Sequence, residues 1–394
     1  MSLFLAIVFS SFLLVVILQY ILIRVILPQR MSSLKRGVIS SMATLGINMI
    51  PLLYMGADPI LDQLPWWHRK LILFPYAIFM VASAFSSLCL FILWFTRPLW
   101  PRLWPRFEKN KRAFLSRAAR TMTGASLGAL AYGAYHENEA LETTRVTLAY
   151  KGLHPDLRGF RIVQITDIHA GPLISFDTIS KVVSTANALK PDLIVLTGDY
   201  VNHNPAYIPG CLKRLNDLMA PTGVFGVYGN HDYYTGINAM KAGFSKTHIS
   251  MLIDQHRTAK GLEGLMNIVG VDDPMRGWAT DAQFENVSDI AALAHRDQFN
   301  LLLSHRPGIF GVSKAMEVDL TLAGHTHGGQ IIVPGVGERG FSMARLFLTY
   351  SNGLYEADED SQIRMYVSRG IGTIIAPVRL FCTPEIVEFT LTRG

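Results

Sequence analysis

Apolar and polar positions divide the chain in two. The first third holds four apolar stretches: Leu3–Leu27, broken by Gln19 and Arg24; Val38–Met55, with Asn48 and Pro51; Leu71–Phe95; and the short, small-residue-rich Thr121–Tyr135. A run of about 20 apolar residues crosses a ~30 Å hydrocarbon core. The pattern predicts a membrane region over residues 1–136 with about four transmembrane helices. A signal peptide would open on basic residues and keep its apolar run short. Met1–Phe4 is uncharged and the run behind it is long, so it reads as an anchor. Residues 137–147 read as a linker, and a different pattern begins near Leu148.

In residues 148–394 short apolar runs alternate with amphipathic ones. Strands are expected at Arg161–Thr166, Asp192–Leu196 and Gly223–Tyr228, with helices at Asp177–Leu189 and Tyr207–Leu218. Further strands are expected at Met266–Val271, Leu301–Leu303, Leu320–Ala323, Gln330–Val333, Met365–Val367 and Ile386–Leu391. Strands joined by helices form parallel units, and the shorter later links suggest an antiparallel portion. The expected fold is a two-sheet α/β sandwich preceded by an α-helical transmembrane region.

Composition sharpens this picture. Half of the 394 residues are hydrophobic and 17% are charged, which excludes a disordered chain. The net charge of +6 is concentrated between Thr96 and Arg120, where eight basic residues face one Glu108. The rest of the chain is close to neutral, so the basicity marks topology and no nucleic-acid partner is expected. Basic loops stay inside. With four spans the loop holding Arg30, Lys35 and Arg36 and the loop ending at Arg120 are cytoplasmic. The second domain then lies on the outer face of the cytoplasmic membrane; with three spans, Thr121–Tyr135 not crossing, it would be cytoplasmic. Three scattered cysteines exclude a disulfide framework and a cysteine zinc site.

Candidate chemistry follows the predicted strands. Asp167-Ile168-His169 sets a carboxylate and an imidazole at i and i+2, which point the same way along an extended segment. Gly198-Asp199 offers a carboxylate with two oxygens at a sharp turn. In Gly229-Asn230-His231-Asp232, Asn230 offers a neutral oxygen, His231 a proton donor or transition-state contact, and Asp232 a partner for that imidazole. His305 stands alone, where a histidine is more often structural. His325 and His327 sit in Gly324-His325-Thr326-His327-Gly328-Gly329. Each motif alone can be a polar turn, but five in this order are a site. The nitrogen and oxygen donors, without thiolate, suit Mn, Fe or Zn. Two such ions ~3.5–4 Å apart activate a water and clamp a phosphoryl group.

This succession resembles the calcineurin-like metallophosphoesterases over about Leu148–Leu391. Ser368-Arg369-Gly370-Ile371-Gly372, Pro377-Val378-Arg379 and Pro384-Glu385-Ile386 are similar to the YkuE/YaeI-like branch. Lys111-Arg112-Ala113-Phe114-Leu115 resembles a worn twin-arginine signal, and the preceding membrane region is similar to the transmembrane metallophosphoesterases. The resemblance implies two divalent metals. Asp167, His169 and His327 would hold one and Asn230, His305 and His325 the other, with Asp199 bridging. His231 would act at the leaving group, oriented by Asp232. Arg369 and Arg379 could grip a substrate phosphate or form structural ion pairs; Tyr233 and Tyr234 could line the cleft or pack the loop. The implied activity is hydrolysis of a phosphodiester or pyrophosphate, including that of a phospholipid or lipid-linked substrate. Phosphomonoester hydrolysis is the alternative within that class. A metal-bound binding or sensor module without turnover is the alternative outside it.

Overall fold

The computed structural model describes residues 13, 16–28, 30–55, 71, 74–96, 111–136, 140–274, 290–335, 340–357, 362–374 and 377–394. The chain divides into two compact units, Met1–Tyr135 and His136–Gly394.

In the first unit residues 16–26 are helical, followed by α1 (Ser33–Met55), α2 (Phe74–Thr96) and α3 (Lys111–Tyr135). Among the described residues no helix is long and apolar enough to cross a membrane. The four expected spans are thus helical where described but not borne out as spans. α1 carries Lys35 and Arg36, and α3 is basic up to Arg120, leaving only the short Thr121–Tyr135 apolar. The first half of Leu3–Leu27 and loop residues 97–110 lie outside the described residues. Buried polar side chains link the helices. Asn48 Nδ2 donates to Gln19 Oε1 at 2.7 Å, and Gln19 Nε2 donates to Ser83 Oγ at 3.1 Å.

The second unit has two six-stranded sheets. The first contains β1 (Glu142–Tyr150), β2 (Arg161–Ile165), β3 (Leu193–Thr197), β4 (Val224–Val227), β5 (Ser250–Met251) and β12 (Glu385–Arg393), in the order β1-β12-β2-β3-β4-β5. The second contains β6 (Gln255–Arg257), β7 (Met266–Gly270), β8 (Phe299–Leu303), β9 (Leu320–Ala323), β10 (Gly353–Glu356) and β11 (Arg364–Val367), in the order β10-β11-β9-β8-β7-β6. Ile162, Val195, Leu301, Leu322 and Phe389 belong to one buried cluster between the sheets. α4 (Phe176–Ala188), α5 (Ile208–Leu215) and α6 (Asn230–Phe244) contribute to a second cluster with Ile194 and Leu196. β3, β7 and β8 are buried at every position, which is why they read as unbroken apolar runs.

Three expectations change. In the second sheet β7, β8, β9 and β11 run parallel and only the edge strands β6 and β10 pair antiparallel, while in the first sheet β12 pairs antiparallel with β2. Between β8 and β9 the six-residue helix α7 (Phe310–Ala315) serves as the crossover, so a short link did not mean a hairpin. Gln330–Val333 is not a strand, because Gln330 bends the chain at φ 58° and only isolated bridges Ile331–Leu380 and Val333–Phe341 form. The second half of the expected linker is β1, paired in parallel with β12. β1 is an edge strand with only two of its nine positions buried, and its polar residues hid it. The carboxyl ends of β2, β3 and β4 lie side by side in the parallel register, as do those of β8 and β9.

Candidate metal centre

The candidate ligands follow directly on those carboxyl ends. The two sheets are tied there by Gln164, whose Nε2 donates to Thr197 Oγ1 and to Ala323 O, both at 2.9 Å. Asp167, His169, Asp199, His325 and His327 have φ of 52°, 50°, 57°, 73° and 51°. Left-handed backbone at a non-glycine residue costs about 1–3 kcal/mol and persists where surroundings over-determine it. Neighbouring turns do so here: Asp167 N–H donates to Gly198 O and His169 N–H to Asp199 O, each at 3.0 Å. Gly198, at φ 93°, leaves space where a Cβ would come within 2.8 Å of His305 Nδ1. At Gly324 a Cβ would run into the Asp167 carboxylate.

All seven side chains expected to bind metal converge. His327 Nε2 lies 3.1 Å from His169 Nε2 and 3.4 Å from Asp167 Oδ1. Asp199 Oδ2 lies 3.3 Å from His169 Nε2 and 3.2 Å from His305 Nε2. His305 Nε2 also lies 3.1 Å from Asn230 Oδ1 and 3.2 Å from His325 Nδ1. Asp167, His169 and His327 form one group able to hold an ion, and Asp199, His305 and His325 another. The donor chemistry fits a cation. His327 Nδ1 faces the carbonyl of Gly372 at 3.1 Å, and His305 Nδ1 that of Thr197 at 2.8 Å. A carbonyl only accepts, so both Nδ1 atoms carry protons and both Nε2 atoms are left to face the site, where that of His305 carries a second proton against Asp199 in the metal-free chain.

His231 and Asp232 separate. The expected turn is the first turn of α6, and Asp232 does not orient His231. Its carboxylate accepts the N–H groups of Gly229 at 2.8 Å and of Asp199 and Tyr200 at 2.9 Å. It thus fixes the backbone that carries Asp199. His231 keeps one ring nitrogen within 4.8 Å of ligand atoms of His169 and Asp199. Its Nδ1 pairs with Asn202 Oδ1 at 3.1 Å. The sequence reading missed Asn202; the polar pair Asn202-His203, soon after Asp199, is the signal that could have found it.

The arginines close on the structural side. Arg369 Nη2 meets Glu385 Oε2 at 2.7 Å and Glu142 Oε2 at 2.9 Å. Arg379 is buried, and its Nη1 and Nη2 donate to backbone carbonyls. Tyr233 packs against the helix-side cluster and donates to Asp272, whereas Tyr234 is exposed and 5.4 Å from the His231 ring.

Burial would raise Asp199, but His305 and His169 hold it well below the usual carboxylate range. Burial would lower His305, but Asp199 lifts it to about 10. In the metal-free chain a proton on His305 therefore balances Asp199. A metal must displace that proton. We expect Mn²⁺ binding to the stripped protein at pH 7.5 to release it, with affinity falling about tenfold per pH unit on acidification. Calorimetry in buffers of different ionisation enthalpy reads the release, and buffer-independent heats would refute it. The linkage has a definite sign. His305 is raised above its ordinary 6.5, so its stabilisation of the metal-free fold is complete below about 6.5 and fades as pH rises towards about 10.

The sequence profile of the calcineurin-like phosphoesterase family matches residues 160–329. The metallophosphoesterase YkuE of Bacillus subtilis is 32% identical over 295 residues, covering 72% of this chain and 98% of its own length. The phosphodiesterase YaeI of Escherichia coli is 28% identical over 291 residues, 72% of this chain and 99% of its own. A transmembrane protein with a metallophosphoesterase domain from Danio rerio is 25% identical over 279 residues, 67% of this chain and 60% of its own. The chain belongs to the calcineurin-like metallophosphoesterase family, whose members are metal-dependent phosphoester hydrolases.

Proposed function

From this membership we propose a dinuclear phosphoesterase that cleaves a phosphodiester or pyrophosphate bond of an amphiphilic, lipid-type substrate, working at the outer face of the cytoplasmic membrane. The convergence of the seven ligand side chains around Asp199 carries the reading. Two divalent cations bound there, one per group, would act as Lewis acids on the phosphoryl oxygens and acidify a water. Asp199 and Asp167 supply the negative charge that retains them, and His231 stands beside them to carry a proton at the leaving oxygen. A diester suits the charge balance better than a monoester dianion. Arg369 and Arg379, the residues expected to grip extra phosphate charge, are bonded within the protein.

Two features support an amphiphilic substrate. Val333, Leu346, Phe347 and Phe381 are 52%, 57%, 58% and 60% exposed, on loops that adjoin His327 through the Ile331–Leu380 bridge and the Cys382 thiol on the His327 carbonyl. Phe381 combines this exposure with a left-handed backbone at φ 53°. In the first unit polar Gln19, Asn48 and Ser83 are buried while Leu34, Met42 and Leu45 are 78%, 69% and 66% exposed. Polar groups inside and apolar groups outside is the pattern of helices packed in lipid.

The test is hydrolysis of matched aryl phosphomonoesters and phosphodiesters by the purified full chain, stripped and reloaded with Mn²⁺, Fe²⁺ or Zn²⁺. Metal-dependent turnover with the diester ahead is expected, and a long-chain diester should be preferred over a short one. Phe347→Asn should remove the chain-length preference and leave the short diester unaffected. Monoester preference would select the phosphatase alternative. Bound metal without turnover on any ester would select the binding module. A periplasm-active reporter fused after Gly394 reads the sidedness; activity only from a cytoplasm-active reporter would overturn it.

A further inference from the structure

Arg379 is fully buried, and among the described residues no carboxylate pairs with it. Its Nη2 donates to the carbonyls of Gly372 at 2.6 Å, Arg369 at 2.7 Å and Gly370 at 3.3 Å, and its Nη1 to that of Cys382 at 3.0 Å. This turn wraps the first candidate ligand: Ile371 N–H donates to Thr166 O at 3.1 Å, and Gly372 N–H to Asp167 O at 2.6 Å. The Gly372 carbonyl also takes Nδ1 of His327 at 3.1 Å.

We propose that Arg379 is a positioning residue for the metal centre. It pins the Gly372 carbonyl so that this oxygen takes the Nδ1 proton of His327 and leaves Nε2 for the cation. Both acceptor directions of the carbonyl are then filled, so it cannot swing away and the imidazole cannot turn over. Nη2 takes the three carbonyls of the turn while Nη1 is held by that of Cys382, an anchoring by two nitrogens that a single ammonium nitrogen does not reproduce. Outer partners of this kind fix ligand tautomer and tune affinity.

The inference rests on the metal-centre reading, and its test separates the two. The full chain is stripped and titrated with Mn²⁺, with bound metal and metal-free Tm measured independently. Arg379→Lys and Arg379→Gln should weaken Mn²⁺ binding about 10–100-fold. A merely structural role would lower metal-free Tm and leave Mn²⁺ affinity unchanged, and that result overturns the proposal. Should neither variant fold, ¹⁵N-histidine NMR of the wild-type chain decides. A proton on His327 Nδ1 supports the proposal, and a proton on Nε2 alone overturns it. A wild-type chain that binds no Mn²⁺ overturns this inference and the metal-centre reading together.

Discussion

Asp199→Ala should lose bound metal and hydrolysis together. Among the described residues Asp199 is the one carboxylate whose oxygen lies within 3.3 Å of imidazoles from both candidate groups, His169 and His305. Its other oxygen accepts the N–H of His231 at 2.8 Å, which seats the start of α6. Removing the side chain leaves His305 without the charge that raises it, and takes the shared anion away from two cation sites at once. We expect metal content to fall below one ion per chain at saturating Mn²⁺ and turnover to fall to background. Asp199→Asn separates charge from shape. It keeps an oxygen for the His231 N–H, so the fold and α6 should stay, while metal is still lost. Elemental analysis with a turnover assay reads both, and wild-type metal content in Asp199→Ala would sink the bridging role.

The ligand set was legible because each member follows a buried parallel strand, and such strands are short apolar runs that announce their own ends. Asp167 after Ile165, Asp199 after Thr197 and His325 after Ala323 could be placed from the chain alone. What the sequence hid depends on how loops fold back. Asn202 reaches His231 because the turn after Asp199 curls over α6, and nothing local in the Asn-His pair says so. Asp232 looked like the partner of its neighbour His231. At the third position of a helix, however, a carboxylate reaches back to the N–H groups before it, here that of Gly229. Arg379 carried the residue type of a phosphate grip, and only the structure shows it buried with both terminal nitrogens on backbone carbonyls. The direction of the second sheet was lost because a six-residue helix was enough to cross over.

His231→Ala should bind metal normally and lose on the order of 10²–10⁴ in kcat. His231 touches Asp199 through its backbone N–H, which alanine retains, so the cradle survives the substitution. The side chain is what disappears, and with it the proton carrier beside the ligands. In the metal-free chain burial pushes this imidazole down to about 3, against the pull of Asp199. It is neutral at ordinary pH, so the proton it passes to the leaving oxygen must first be taken up at Nε2 from a water. The Asn202 oxygen holds Nδ1–H and leaves Nε2 as the atom that exchanges it. The loss in His231→Ala should therefore grow as the leaving alcohol becomes more basic, from an aryl to an alkyl diester. Equal losses on both would mean that His231 stabilises charge without moving a proton. Asn202→Ala should cost about tenfold, the worth of one orienting hydrogen bond. Asn202→Asp places a negative charge against the ring, favours the imidazolium and moves the corresponding limb of the pH–rate profile upward. A profile unmoved by Asn202→Asp would show that the Asn202 contact does not govern the proton on His231.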